Sequence, residues 1–164
     1  MREAVIIEAL RTPIGKGKHG SKGALSAFHP AHLLAKVQEA VVERAGIDPA
    51  EVEQIVGGCV TQAGEQSNNI ARNAWLTRGK QYGVAGTTVD TQCGSSQQAL
   101  NQPFSLVASG AEDVVLARGV ENMRRLPIGS DAFAGAKAGY GKPISRSYFS
   151  HYEFTSQFEG AERI

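Results

Sequence analysis

Cys93 has the setting of a nucleophile. It lies in Val89-Asp90-Thr91-Gln92-Cys93-Gly94-Ser95-Ser96-Gln97-Gln98-Ala99. A β-prone run, Thr87-Thr88-Val89, leads into it, and a helix-forming run from Gln97 to Leu100 leads out. The pattern predicts one thiol on a strand-to-helix turn. Free N–H groups and the helix dipole favour a thiolate there. A thiolate on such a turn suits acyl acceptance. Gly94, Ser95 and Ser96 leave room for a substrate carbonyl. The same local context also fits a small buried cysteine used as a hydrophobe.

The other chemistry-bearing residues are less suggestive. Cys59 sits among small apolar residues and reads as structural. The histidines, His19, His29, His32 and His151, show no spacing of a metal pair, and none is marked as a base for Cys93. His29, just before Pro30, reads as a local hydrogen-bonding residue at a helix entrance. Gly15-Lys16-Gly17-Lys18-His19-Gly20 fits G-x-G-x-x-G by letter. It follows Pro13 and opens no helix, so it reads as a flexible loop rather than a phosphate cradle. Gly64 to Arg72 gathers polar groups at a helix start, with Ser67 or Asn68 as candidate caps and a polar network supporting a site or a subunit contact as the alternative.

These residues need elements to position them. Ala4 to Leu10 reads as a buried strand and Ala31 to Ala45 as an amphipathic helix stopped by Gly46. Asp48, Pro49 and Glu51 signal a short helix. Ile55 to Val60 reads as a strand, Ser67 to Arg78 as a helix, Thr87 to Thr91 as a strand, Gly94 to Ser109 as a helix and Val114 to Ala117 as a strand. This alternation predicts an α/β fold with helices packed on a largely parallel sheet. Pro103 falls inside the helix after Cys93, where a lost hydrogen bond costs about 3 kcal/mol. Arg124 to Ser150 reads as an irregular excursion, and the last residues as a helix start. The expected division is residues 1–123 as one α/β domain and 124–164 as the start of a second.

Composition bounds the function classes. The 164 residues suffice for one sizeable core, and 17 basic against 16 acidic residues give a net charge of +1. That balance makes no electrostatic case for nucleic acid. Two widely spaced cysteines are no disulfide framework and favour a reducing compartment. The acidic N-terminal residues do not fit a signal peptide, and no apolar run approaches the ~20 residues of a membrane span. A cytoplasmic location is the expectation.

The chain resembles the N-terminal part of the thiolases, the acetyl-CoA acetyltransferases and 3-ketoacyl-CoA thiolases. The likeness is carried by Val5 to Lys16, Gly57-Gly58-Cys59-Val60-Thr61-Gln62, Gly64 to Arg72, Gln92 to Ala99, and Val120-Glu121-Asn122-Met123, in order and spacing. Residues 139–164 are similar to the beginning of the thiolase loop domain, nearest to thiolases of fatty-acid or sterol side-chain breakdown. The resemblance implies a layered fold, a mixed, mostly parallel sheet with helices on both faces, here incomplete. It implies Cys93 as the acyl-accepting nucleophile, with its backbone N–H in an oxyanion hole. The substrates would be acyl-CoA and coenzyme A, with no covalently bound cofactor and no metal. Family catalysis also needs a histidine in a Gly-His-Pro-type segment and a second cysteine in a Cys-x-Gly-Gly-type segment, and this sequence contains neither. The chain alone is therefore expected not to turn over. It would need a polypeptide bearing the C-terminal motifs, or else act as a non-catalytic scaffold or inactive fragment. Homo-oligomerisation through the strand near Thr87 to Thr91 is a further implication. Arg118 stands where the family usually has glycine.

Overall fold

A computed structural model describes residues 2–17, 23–79 and 83–164. The chain divides into two units, Met1–Ser130 and Asp131–Ile164. In the first unit, α1 spans Pro30–Ala45, β1 Gln54–Gly58, α2 Ile70–Leu76, β2 Ala85–Val89, α3 Ser95–Ser109 and β3 Val115–Gly119. The three strands form one parallel sheet in the order β2-β1-β3, with Gly57 opposite Thr88 on one side and Arg118 on the other.

Neighbouring residues of a strand point to opposite faces. A Cβ on Gly57 would stand 2.8 Å from the Ala71 Cβ of α2, and one on Gly58 2.5 Å from the Ser95 carbonyl carbon of α3. Hence α2 and α3 cover opposite faces. The β1-to-β2 and β2-to-β3 crossovers run in opposite directions along the sheet, so a right-handed crossover in each case demands this arrangement. α1 packs beside α2. Between them and the sheet lies a core of Val42, Val52, Ile55, Ala71, Trp75 and Val84, with Ala31, Leu34, Cys59, Ile70 and Ala74 forming its continuation.

Local signals mostly operate as read. Gly46 ends α1 in the left-handed region at φ 69°. Asp48 and Glu51 form a reciprocal capping box around a single 3₁₀ turn, Pro49–Glu51. α3 runs through Pro103, which is buried. Two expectations fail. The helix expected from Ser67 starts at Ile70, because Asn68 and Asn69 take left-handed φ of 56° and 58°, and Asn69 rather than Ser67 or Asn68 is the cap. The buried strand expected at Ala4–Leu10 is not one. Its residues join no ladder, and Val5, Ile6 and Ile7 are 70%, 72% and 66% exposed. Strand composition is present there, but no neighbouring edge lies within pairing reach. The segment is instead tied near its two ends, by Arg2 to Ala108 and Asp113, and by Glu8 to Arg44 at 3.0 Å.

α4, Ser130–Lys137, whose first residue closes the first unit and whose remainder opens the second, breaks the stretch expected to be irregular. A 3₁₀ turn, Arg146–Ser150, and α5, Gln157–Glu162, follow. No residue of 131–164 is buried, and Phe133, Tyr140, Phe149, Phe154 and Phe158 are exposed.

Gly58→Ala should destabilise the chain by about 1–3 kcal/mol, since the atoms in its way are backbone. Urea unfolding measures this, and an unchanged midpoint would mean that α3 does not sit so close.

Candidate active site

In a sheet of this order the strand sequence reverses between β1 and β3, and the carboxyl ends there form the customary ligand crevice. The N-terminus of α3 enters at this point. Gly58 ends β1 and Gly119 ends β3, as register partners. A side chain on Gly58 would strike Ser95, and one on Gly119 would strike Ser96. These two glycines let the turn before α3 drop onto the sheet.

Cys93 is the apex of that turn. Gln92 holds a left-handed φ of 53°, which throws the next residue outward. The Asp90 carboxylate accepts from Gln92 N at 2.7 Å. The buried Ser95 hydroxyl donates to Gln92 O at 2.6 Å and accepts from Thr91 N at 3.1 Å. Gly94 N and Ser95 N donate back to Thr91 O and Gln92 O. The turn is fixed from within, and the Cys93 side chain is left exposed. That exposure removes the reading of Cys93 as a buried hydrophobe. Gly94 at the α3 N-cap supplies no side-chain cap. The N–H groups of Cys93, Ser96 and Gln97 have no acceptor among the described residues. A carbonyl oxygen beside the thiol would meet unsatisfied donors.

Cys59 is its opposite. It is buried, with Sγ 3.5 Å from Gln66 Nε2 and 3.8 Å from Glu121 Oε2. Burial, reinforced by the Glu121 charge, pushes its thiol up to about 12. This agrees with a structural role.

A polar clamp surrounds Cys59. The Glu121 carboxylate accepts from Val60 N at 2.8 Å, Thr61 N at 3.3 Å and Gln66 Nε2 at 2.9 Å. Gln66 Oε1 accepts from Asn122 N at 2.8 Å. Asn122 Nδ2 then donates to Leu25 O and Phe28 O, both at 3.1 Å. The segments after β1 and β3 and the entrance to α1 are thereby locked together. Asn69 stitches α2 to β2, donating to Gly86 O at 2.7 Å and accepting from Thr88 Oγ1 at 2.9 Å. The polar run from Gly64 to Arg72 is therefore a supporting network. The roles of Gln66 and Glu121 escape a sequence reading. The only signal is an acid directly after a buried strand, where a charge needs donors.

Neither His29 nor His32 makes a hydrogen bond to the thiol. His29 Nδ1 accepts from Ala31 N at 3.1 Å and caps α1, as read, and its ring lies 5.3 Å from that of His32. Among the described residues no side chain hydrogen-bonds Cys93 Sγ. Of the glycine run, Gly17 bridges to Gly23, while Lys18, His19 and Gly20 lie outside the described residues. Among the described residues no helix is long and apolar enough to cross a membrane.

An α/β sheet carrying an exposed cysteine on the turn into α3 defines a class, and comparison with known proteins gives its family. A family model described as "Thiolase, N-terminal domain" matches residues 4–159. The steroid 3-ketoacyl-CoA thiolase FadA6 of Mycobacterium tuberculosis is 42% identical over 168 residues, spanning 100% of this chain and 40% of that protein. A 3-ketoacyl-CoA thiolase of Colwellia psychrerythraea is 39% identical, over 78% of this chain and 33% of that one. Among solved structures, the acetyl-CoA acetyltransferase of Bacillus anthracis superposes with a TM-score of 0.60 at 35% identity, over 64% of this chain and 26% of that chain. The chain belongs to the thiolase family, and it spans well under half the length of these relatives.

At pH 8 iodoacetamide should label Cys93 alone, with Cys59 reacting only after unfolding; two labelled thiols in the native chain would contradict the structure. Because the folded Cys59 pKa is raised, its contribution to stability is complete below about pH 9 and should be lost as pH climbs towards 12. Urea midpoints of wild type and Cys59→Ala across that range should converge at high pH.

Proposed function

We propose that the chain is the nucleophile-bearing half of a thiolase-type acyl transfer. The observation that carries this is the exposed Cys93 on a rigid turn beside unpaired N–H groups. The thiolase names of the relatives fit it. In the degradative direction the Cys93 thiolate attacks the ketone carbon of a 3-ketoacyl-CoA. The carbonyl electron pair moves to oxygen, where the Cys93 N–H donates to it. Collapse breaks the bond to the adjacent carbon, whose electron pair leaves on acetyl-CoA and takes up a proton. Coenzyme A then attacks the acyl-cysteine, loses its thiol proton to a base and frees Cys93. In the synthetic direction an acetyl-CoA carbanion attacks the acyl-cysteine instead. The base and the second cysteine come from polypeptide that this chain does not contain. The name of the mycobacterial relative favours a steroid 3-ketoacyl-CoA as substrate, and that of the Colwellia relative a 3-ketoacyl-CoA without further definition. A cytoplasmic, oligomeric protein fits this reading.

Intact mass after incubation with acetoacetyl-CoA tests it. Wild type should gain one acetyl group and Cys93→Ala none, with turnover only after a polypeptide bearing the C-terminal thiolase motifs is added. No adduct in either condition would leave a non-catalytic scaffold.

A further inference from the structure

α1 begins on an imidazole. His29 is its N-cap, with extended backbone at φ −61° and ψ 131°, and His29 Nδ1 accepts the Ala31 N–H at 3.1 Å. The His29 carbonyl accepts from His32 N at 3.0 Å and Leu33 N at 3.1 Å. Pro30 has no N–H, so one residue satisfies the donors that open the helix. Serine, threonine and asparagine at such a position accept whatever the pH. A histidine accepts at Nδ1 only while that nitrogen carries no proton.

The ring has a second partner within the same entrance. Among the described residues the titratable and charged groups that face it are His32 of α1, Glu65 of the Gly64–Gln66 turn and Arg125 of the segment after β3. The two imidazole centroids lie 5.3 Å apart. Glu65 accepts from Arg125 Nε and from its Nη2 at 2.6 Å. The Arg125 hydrogen bond holds the Glu65 carboxyl below the usual carboxylate range, and the charges of both imidazoles act in the same direction. A proton on His29 therefore meets the positive end of the α1 dipole and His32 on its own helix, and a carboxylate across from it.

We propose that His29 is a pH-sensitive switch at the start of α1: with Nδ1 free it caps the helix, and with Nδ1 protonated its ring releases the Ala31 N–H and turns to the Glu65 carboxylate. The ring is half-buried and takes its proton from solvent. A charge-assisted bond to Glu65 replaces the neutral cap, while Ala31 N is left to water. The cap contributes at higher pH and is lost as pH falls through the range in which imidazoles charge.

The release reaches beyond the helix. Asn122 Nδ2 donates to Leu25 O and Phe28 O, and Arg125 Nη1 donates to Ser26 O at 3.3 Å. Movement of this entrance thus pulls on the segment after β3, where Glu121 holds the loop after β1. Acid loosens these loops while the sheet stays paired. None of this depends on Cys93 being acylated.

Amide exchange and amide chemical shifts of the chain, followed as pH is lowered, test the switch. Between roughly pH 8 and pH 5, where histidine changes charge, protection at Ala31, His32 and Leu33, corrected for intrinsic exchange, should fall. The fall should be about fivefold, the size of a lost N-cap, with protection in α3 unchanged. His29→Asn caps without titrating and should hold its protection throughout, and His29→Ser should do the same if the asparagine variant folds poorly. Glu65→Gln should move the midpoint of the Ala31 amide shift to lower pH, because the carboxylate that favours the charged ring is gone. His32→Gln should leave the transition in place. A wild type without the fall, an equal fall in the non-titrating variants, an unmoved midpoint in Glu65→Gln or a transition abolished by His32→Gln would each overturn the proposal.

Discussion

The close approach of α3 to the sheet is the constraint on which the rest depends. Gly58 and Gly119, side by side at the carboxyl ends of β1 and β3, have no side chains, and the backbone of Ser95 and the hydroxyl of Ser96 occupy that space. With the helix start pinned there, the turn preceding it has little freedom. Asp90 and Ser95 engage Gln92 N, Thr91 N and Gln92 O, and Gln92 accepts a strained backbone to complete it. Such strain, of order 1–3 kcal/mol, persists only where the surroundings over-determine it. Here the surroundings are hydrogen bonds on both sides of Cys93.

The loops beside this turn are held by charge rather than by apolar packing. Glu121 collects three donors from the segment after β1, and Asn122 reaches back to the chain just before α1. A carboxylate with several N–H donors is stabilised in its charged form, and each donor it satisfies would otherwise be a cost. The same arrangement keeps Cys59 protonated and out of the chemistry. Two cysteines at strand ends thus receive opposite environments, one from an enclosing carboxylate and one from an open helix start.

Much of this was legible in the residues. Periodicity located α1, helix-forming composition located α3, the Asp48–Glu51 box was plain from spacing, and Cys93 announced itself by sitting between a β-prone and a helix-prone run. What escaped was whatever depended on partners distant in sequence. Ala4 to Leu10 has the composition of a buried strand, but composition cannot supply the neighbouring edge that makes a strand. Ser67 and Asn68 looked like the cap candidates; only the bonds of Asn69 to Gly86 and Thr88 reveal why the backbone turns left-handed before the helix begins. Glu121 and Gln66 are 55 positions apart, and no local pattern joins them.

Positions 57, 71 and 118 share one small volume on the α2 face. Gly57 leaves it free, the Ala71 methyl takes part of it, and the stem of Arg118 passes 3.7 Å from where a Cβ on Gly57 would stand. The guanidinium at the end of that stem donates to the Ala71 carbonyl. A change at any one of the three alters what the other two can tolerate, so their mutational effects do not add. A residue larger than glycine at 57 must first displace the Ala71 methyl, 2.8 Å from its Cβ, and with it the backbone that Arg118 holds, so the order in which changes at 57 and 71 arise becomes part of what the sequence can become.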